Sequence, residues 1–248
     1  MEWIKIFESL PPSTVTITGG EPLLYNDIIS LINNFPKKHL ISCLVTNLGV
    51  NIDKLTFLKR KEFRIMTSFH PAMTTKEVFI DNLKILKKNG FFNVTINFVA
   101  YLLYLKDIPY LKNYFEKVIG FYFRVDTFKD PEYNYSPLEL KIIRELKRKG
   151  IIAKDRTEGY NFNDFSGKVC RGGRNFFLII SNGNAYSCME GYYYSECQPY
   201  KDKCNKIDNF YLGNVFDRSF KLFAEDRRCH SPCAELCDLE LAGVMKNG

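Results

Sequence analysis

The stretch from residue 14 to residue 24 reads TVTITGGEPLL, and it contains the pattern that decides the fold. Its first half, Thr14–Thr18, is rich in β-branched residues and predicts a short strand. The strand breaks at Gly19-Gly20-Glu21-Pro22, where two glycines let the backbone approach a ligand closely. Backbone carbonyls and the Glu21 carboxylate are good acceptors for an amino group. The stretch therefore predicts a strand-to-helix turn that is also a candidate ligand site.

Strand-like and helix-like segments alternate over the first 150 residues. Four more β-rich runs follow, at Ile41–Val45, Phe63–Thr67, Asn93–Val99 and Phe121–Val125. Helical spacing occurs in Glu2–Leu10, Asn26–Asn34, Asp53–Lys59, Lys76–Asn89, Ile108–Phe115 and Pro137–Lys149. Alternation of this kind is typical of βαβ units with a parallel sheet, so we expect an α/β fold.

Polar residues stand at or just after the carboxyl ends of the later strands. In parallel sheets and barrels that edge carries ligands, so these residues are candidates for a binding site. They are Thr46, Asn47, Ser68, His70, Asn97, Arg124 and Asp126. His70 is either a substrate or proton-transfer group or an ordinary loop histidine, and the sequence leaves both open.

The chain changes character after residue 150. The polar segment Ile151–Ser166 predicts a linker, so we expect domains over residues 1–150 and 151–248. In the second domain, Asn182-Gly183 lies between Phe176–Ser181 and Asn184–Ser187. Asn-Gly between two β-rich runs predicts a hairpin with a type I′ turn.

Eight cysteines are present, and seven of them lie between Cys170 and Cys237. Clustered thiolates bind soft metals: iron–sulfur clusters usually take four cysteines, and structural zinc takes four Cys or His ligands. The candidate ligands are Cys170 and Cys188, which flank the hairpin, and Cys229, Cys233 and Cys237, of which the last two share a face if that segment is helical. The spacing favours iron–sulfur over zinc because it lacks the two-residue gap of zinc ribbons. Cys197 and Cys204 have no assigned role, and Cys43 is expected to be a buried thiol.

Composition excludes several classes of function. The net charge of +7 is spread along helical segments, which argues against nucleic-acid binding. No apolar run reaches the roughly 18–20 residues that span a bilayer. The first residues lack the apolar core of a signal peptide, so a cytoplasmic location is expected.

Thr16–Leu24 resembles the GGEP motif of radical SAM enzymes, which in that family binds the amino group of S-adenosylmethionine. Thr46-Asn47 resembles the family's T-N-G, with Leu48 in place of the glycine. The resemblance implies that Gly19, Gly20, Glu21, Pro22, Thr46, Asn47, Ser68, Asn97 and Arg124 bind the cofactor.

The second domain resembles the SPASM/twitch domains of the same enzymes. Cys170, Gly183 and Cys188 fit the start of that pattern, which is Cys, 9–15 residues, Gly, four residues, Cys. Cys233 and Cys237 fit its closing C-x3-C, whereas the spacings before them depart from it. The resemblance implies an auxiliary [4Fe–4S] cluster held by four of the five candidate cysteines.

Together the resemblances imply an incomplete (β/α)6 partial barrel followed by a small Cys-rich domain with a β-hairpin and a helix. They imply radical-based modification of a peptide or small molecule, with flavodoxin or ferredoxin as a possible electron donor. The family's C-x3-C-x2-C motif is absent from the 248 residues. We therefore expect that the first strand and its loop are missing, through a late start codon, a fragment or a natural remnant. This chain alone is expected to be inactive, and no catalytic residue is assigned. The alternative is a non-catalytic iron–sulfur or zinc protein that acts in electron transfer or as an accessory protein.

Overall fold

A computed structural model describes residues 2–50, 52–71, 73–127, 135–153, 163–164, 169–189, 191–192, 210–228 and 232–233. The chain divides into two compact units, residues 1–160 and 161–248. Each unit is described by itself below.

The first unit contains a five-stranded sheet in which the strands follow one another in chain order. The strands are β1 (Thr14–Ile17), β2 (Leu40–Thr46), β3 (Arg64–Phe69), β4 (Val94–Ala100) and β5 (Tyr122–Thr127). Every neighbouring pair is parallel. The predicted α/β fold with a parallel sheet is confirmed, and each predicted strand overlaps an observed one.

Helices connect these strands, as parallel pairing requires. Helix α2 (Ile28–Asn33) lies between β1 and β2, α3 (Lys76–Lys88) between β3 and β4, and α4 (Ile108–Asn113) between β4 and β5. Helix α1 (Glu2–Ser9) precedes β1, and α5 (Pro137–Arg148) follows β5. Ser136 and Glu139 form a capping box at the start of α5, and the Thr75 hydroxyl caps α3.

Two predicted helices differ from the observed structure. The segment expected to be helical over Asp53–Lys59 is a 3₁₀-helix, Ile52–Phe57. There the Thr56 hydroxyl donates to the Asp53 carbonyl at 2.6 Å, a side-chain bond that competes with regular helical pairing. The other, α4, is shorter than expected because its chain continues as a π-helix over Tyr114–Ile119.

The two faces of the sheet differ in character. One face packs against the helices through an aromatic cluster of Phe69, Phe79, Phe98, Phe115 and Phe123, whose ring centroids lie 4.9–6.0 Å apart. On the other face of β3, β4 and β5, Arg64 and Tyr122 at the strand starts are exposed, and the residues that follow are half-buried and include polar side chains. This second face is the part of the sheet that is available to a ligand.

The second unit is built from very short strands. They are β6 (Asn163–Asp164), β7 (Val169–Cys170), β8 (Leu178–Ile179), β9 (Asn184–Tyr186), β10 (Tyr211–Asn214), β11 (Arg227–Arg228) and β12 (Pro232–Cys233). They form a three-stranded sheet in the order β10-β9-β8 and two antiparallel pairs, β11-β7 and β12-β6.

The predicted hairpin is present as β8 and β9, but its turn is not type I′. Type I′ requires positive φ at both central residues, and of Asn182-Gly183 only the glycine has it, at +88°. The Gly183 amide donates to the Ile180 carbonyl at 2.9 Å, so the turn begins one residue earlier than expected. A side chain at Gly183 would collide with the ring of Phe216, which explains why glycine stands there.

The aromatic cluster predicts the effect of a core truncation. Phe115 is 0% exposed and contacts three other cluster rings, whereas Phe92 is 72% exposed. We expect Phe115→Ala to lower the free energy of unfolding by about 3–5 kcal/mol, because it leaves a cavity. The matched control Phe92→Ala should change it by less than about 0.5 kcal/mol. Fluorescence of Trp3, the single tryptophan, follows urea unfolding of the first unit, since its side chain packs on the core. Equal losses in both variants would contradict this assignment of the core.

Candidate functional site

The carboxylate of Glu21 joins the turn after β1 to the end of β2. Its Oε1 accepts hydrogen bonds from the Leu23 amide at 3.0 Å and from the Thr46 hydroxyl at 2.7 Å. Its Oε2 accepts one from the Asn47 amide at 2.8 Å. A carboxylate offers about four acceptor positions, so one position on Oε2 remains for a further donor. Glu21 therefore fixes two loops and retains capacity toward a ligand.

The backbone beside Glu21 is open. Gly19 has φ +133°, a conformation that L side chains rarely adopt, and both Gly19 and Gly20 are exposed. A Cβ built at either position would have no atom within 4 Å. Pro22 starts the 3₁₀-helix Pro22–Leu24. The turn thus has a fixed shape and free space beside its backbone.

The loop after β2 is held by side chains on both sides of Leu48. The Leu48 amide donates to the Thr46 hydroxyl at 3.1 Å. The Leu48 carbonyl accepts from Nδ2 of Asn82, on α3, at 2.6 Å. Leu48 has φ +54°, in the left-handed region that favours glycine. Its side chain is buried, at 1% exposure.

The strand register places three predicted residues in one row across the sheet. Ser68 of β3 pairs with Asn97 of β4, which pairs with Arg124 of β5. All three are half-buried and lie on the face opposite the aromatic cluster. Nε and Nη2 of Arg124 donate to Oδ1 of Asp126 at 3.2 and 3.1 Å. Oδ1 of Asn97 is buried and has no hydrogen-bond partner among the residues that the structure describes.

Two residues of this region were not predicted. Asn82 supports Leu48, and Nζ of Lys54 donates to the Leu23 carbonyl at 3.1 Å. Both belong to helical segments with ordinary surface composition, so no sequence signal marks them. His70 lies at the same edge of the sheet and is exposed.

Cys170 and Cys188 lie close together in the second unit. A Cβ placed on Gly172 would be 3.3 Å from the Cys170 sulfur and 2.9 Å from the carbonyl oxygen of Ser187, the residue before Cys188. The Gly172 amide donates to the Cys170 sulfur and the Gly191 amide donates to the Cys188 sulfur, each at 3.3 Å. Such bonds favour thiolates and tune metal–sulfur centres.

Of the remaining candidate metal ligands, the structure describes only Cys233. Cys233 lies in β12, where it pairs with Asn163, so the expected helix does not include Cys233. Pro232 suits the edge of such a short strand because it has no amide to donate. Cys229, Cys237, Cys197 and Cys204 lie outside the described residues. Within the described ranges, no three His, Cys, Asp or Glu side chains are grouped as metal ligands.

Cys43 does not share this environment. It is 8% exposed in the first unit, which confirms the predicted buried thiol. Burial raises the pKa of the Cys43 thiol, so its thiolate form is disfavoured.

The first unit is an α/β fold whose five parallel strands follow one another in chain order, and the fold of the chain is similar to those of solved structures. Two solved structures have this similarity over most of the chain. One is native anSMEcpe with bound AdoMet, with TM-score 0.52 and 16% identity over 88% of this chain and 68% of that one. The other is SuiB from Streptococcus suis, with TM-score 0.57 and 17% identity over 89% of this chain and 61% of that one.

A further structure, at TM-score 0.53 and 15% identity, shows anSMEcpe with bound AdoMet and the Kp18Cys peptide. The match covers 88% of this chain and 68% of that one. Identities this low show a shared fold. At the level of sequence, no family model and no curated protein matches the chain. In the described part of the chain, no helix has the length and apolar character to cross a membrane.

The bonds of Glu21 predict the effect of neutralising it. In Glu21→Gln, an NH₂ group replaces one carboxylate oxygen, so at least one of the three donors to Glu21 loses its acceptor. We expect the free energy of unfolding, followed by Trp3 fluorescence, to fall by about 1–3 kcal/mol. Glu8→Gln is the control, because Glu8 is exposed near the end of α1. A stability of Glu21→Gln equal to that of the control would show that these bonds do not tie the loops together.

Proposed function

We propose that this chain is a radical SAM family protein that binds S-adenosylmethionine at the Gly19–Pro22 turn and an auxiliary iron–sulfur cluster in its second unit. The observation that carries the proposal is the Glu21 carboxylate, which shapes an open glycine turn at the carboxyl edge of the sheet. In parallel α/β folds this edge is where ligands bind.

The chemistry of the turn suits the amino group of the cofactor. An ammonium group has three donors and needs acceptors around it. The exposed backbone at Gly19 and Gly20 offers carbonyl oxygens, and Oε2 of Glu21 has a remaining acceptor position. Among the residues that the structure describes, no side chain lies within 4 Å of a Cβ placed on either glycine.

The polar row supports binding of the rest of the cofactor. Ser68, Asn97 and Arg124 lie in one register row on the half-buried face, and we assign them to its carboxylate and ribose. Arg124 uses Nε and Nη2 for Asp126, and its Nη1 remains a donor for a ligand carboxylate. The buried Oδ1 of Asn97 is an acceptor suited to a ribose hydroxyl.

The cysteines of the second unit fit an auxiliary cluster. Cys170 and Cys188 lie near each other, and each sulfur accepts an amide hydrogen bond. Two further ligands come from Cys229, Cys233 and Cys237 in this proposal. A [4Fe–4S] cluster supplies electron transfer or a substrate-binding iron when it is bound. Structural zinc with the same cysteines is the alternative.

The reaction that we propose is a radical-based modification of a peptide or small molecule. It requires a C-x3-C-x2-C cluster motif, which the 248 residues do not contain, so these residues alone are proposed to bind the cofactor without cleaving it. The peptide bound to anSMEcpe supports the peptide class of substrate. Flavodoxin or ferredoxin is the proposed electron donor, and the cytoplasm the proposed location.

Cofactor binding is tested by enlarging Gly20. A Cβ at Gly20 has no neighbour within 4 Å, so Gly20→Val should fold with an unchanged melting temperature. Because its side chain fills the space proposed for the cofactor, we expect the dissociation constant for S-adenosylmethionine to rise by about tenfold or more, measured by calorimetry. Gly20→Ala, which adds only one methyl group, is the control and should have a smaller effect. Unchanged affinity in Gly20→Val would place the cofactor elsewhere.

The metal centre is tested by anaerobic reconstitution. The chain should take up about four iron and four sulfide ions, with broad absorption in the visible range. Cys170→Ala and Cys188→Ala should lose most of this iron, because each removes a thiolate ligand. The control Cys43→Ala should retain it, since Cys43 is buried in the first unit. Zinc without iron in the purified protein, or full iron in both ligand variants, would contradict the proposal.

A further inference from the structure

We propose that Asn82 is a positioning residue of the cofactor site, which holds Leu48 in its left-handed conformation and so keeps the acceptor group of Glu21 in place. The inference rests on the proposed function for its consequence in ligand binding. Its structural part stands on the hydrogen bonds of the first unit.

The first step concerns the conformation of Leu48. Its φ of +54° brings the Cβ of an L residue close to its own backbone; glycine avoids this contact, asparagine tolerates it, and other residues such as leucine rarely adopt the conformation. Arg218 is the one other described non-glycine residue with positive φ, and it is exposed. Leu48 is instead buried, so the surrounding structure must hold it in this conformation.

The second step identifies what holds it. The two backbone polar groups of Leu48 are both bound by side chains: its amide by Thr46 and its carbonyl by Asn82. The Asn82 bond spans 34 positions in sequence, and at 2.6 Å it is the shorter of the two. Because Asn82 lies within the regular helix α3, it provides a fixed point against which the loop is set.

The third step connects Leu48 to Glu21. The Thr46 hydroxyl that accepts from the Leu48 amide also donates to Oε1 of Glu21. The Asn47 amide, one residue before Leu48, donates to Oε2. Turning Leu48 out of the left-handed region would therefore move the Thr46 hydroxyl and the Asn47 amide away from the Glu21 carboxylate. Asn82 touches no ligand in this scheme and acts through Leu48.

The next residue adds a steric limit to the same loop. The Gly49 amide donates to Oδ1 of Asn47 at 2.7 Å, and a Cβ at Gly49 would lie 2.9 Å from that oxygen. The loop therefore uses glycine one position later than the T-N-G pattern does. A glycine at position 48 would adopt positive φ without a steric penalty. Leu48 instead keeps its positive φ through the hydrogen bond from Asn82 on α3.

The test compares two asparagines of the same helix. Asn82→Ala removes the bond to Leu48, whereas the control Asn89→Ala removes an equivalent bond, from Nδ2 of Asn89 to the Ile85 carbonyl at 2.8 Å, at the end of α3. We expect Asn82→Ala to speed hydrogen exchange of the Asn47 and Leu48 amides by about tenfold, through local opening. Asn89→Ala should leave those two amides unchanged.

A second pair of variants, made with glycine at position 48, distinguishes the positioning of Leu48 by Asn82 from a general loss of stability in the loop. Glycine adopts positive φ without a steric penalty, so in a Leu48→Gly background the Asn82→Ala change should alter the exchange of the Asn47 amide by less than about twofold. If Leu48→Gly does not fold, Leu48→Asn serves, since asparagine tolerates this region. An equal effect of Asn82→Ala in both backgrounds would overturn the inference, as would equal effects of Asn82→Ala and Asn89→Ala.

Ligand binding is measured on the same proteins. Asn82→Ala should raise the dissociation constant for S-adenosylmethionine by about five- to twentyfold, and Asn89→Ala should not. If the unmodified chain does not bind the cofactor, the proposed function fails, while hydrogen exchange still decides the role of Asn82. If the chain binds and Asn82→Ala binds equally well, the positioning role is wrong.

Discussion

The site depends on one carboxylate that joins two loops from neighbouring parallel strands. Parallel strands end side by side, but no ladder hydrogen bonds continue into the loops beyond them. Glu21 replaces that missing ladder with two hydrogen bonds across the loops, from Thr46 and Asn47, and accepts a third within its own turn, from Leu23. Hydrogen bonds to a charged group each contribute about 1.5–3 kcal/mol, so this set is strong enough to define the shape of both loops. The geometry of the glycine turn follows from it.

The sheet makes such a site possible because its two faces are used differently. All-parallel sheets are usually covered on both faces and therefore apolar on both. Here the alternation of side chains sends Phe69, Phe98 and Phe123 into the aromatic cluster, and leaves the row containing Ser68, Asn97 and Arg124 on a half-buried face. The same two-residue period thus sets both the stability of the sheet and the position of its polar row. A shift of one residue in the register of β4 would move its apolar side chains to the half-buried face and its polar side chains to the face of the aromatic cluster.

The sequence predicts well those structural features that depend on residues close to one another along the chain. The strand β4 is found one residue from its predicted bounds, since its alternation is a local property. The Asn82–Leu48 bond joins residues 34 positions apart, and only the packing of α3 brings them together. The predicted type of the hairpin turn was wrong because the Gly183 amide bonds to the Ile180 carbonyl, which makes Ser181 and Asn182 the central residues and leaves positive φ to Gly183 alone. Cys233 and Cys237 would share a face only in a helix, and Cys233 instead pairs with Asn163 in a strand.

The strands of the second unit are too short to stabilise its fold by themselves. Cys170 lies in the ladder of β7 and β11, and Cys233 in the ladder of β6 and β12; each strand of these pairs has two residues. Pairs this short are marginal in water. The ladders join segments separated by more than 50 residues, so closing them carries a large entropic cost. In the proposed cluster, a metal bound by Cys170 of one ladder and Cys233 of the other would offset that cost, because metal affinity becomes folding free energy. The proposed cluster would then be part of the structure of the second unit as well as of its chemistry.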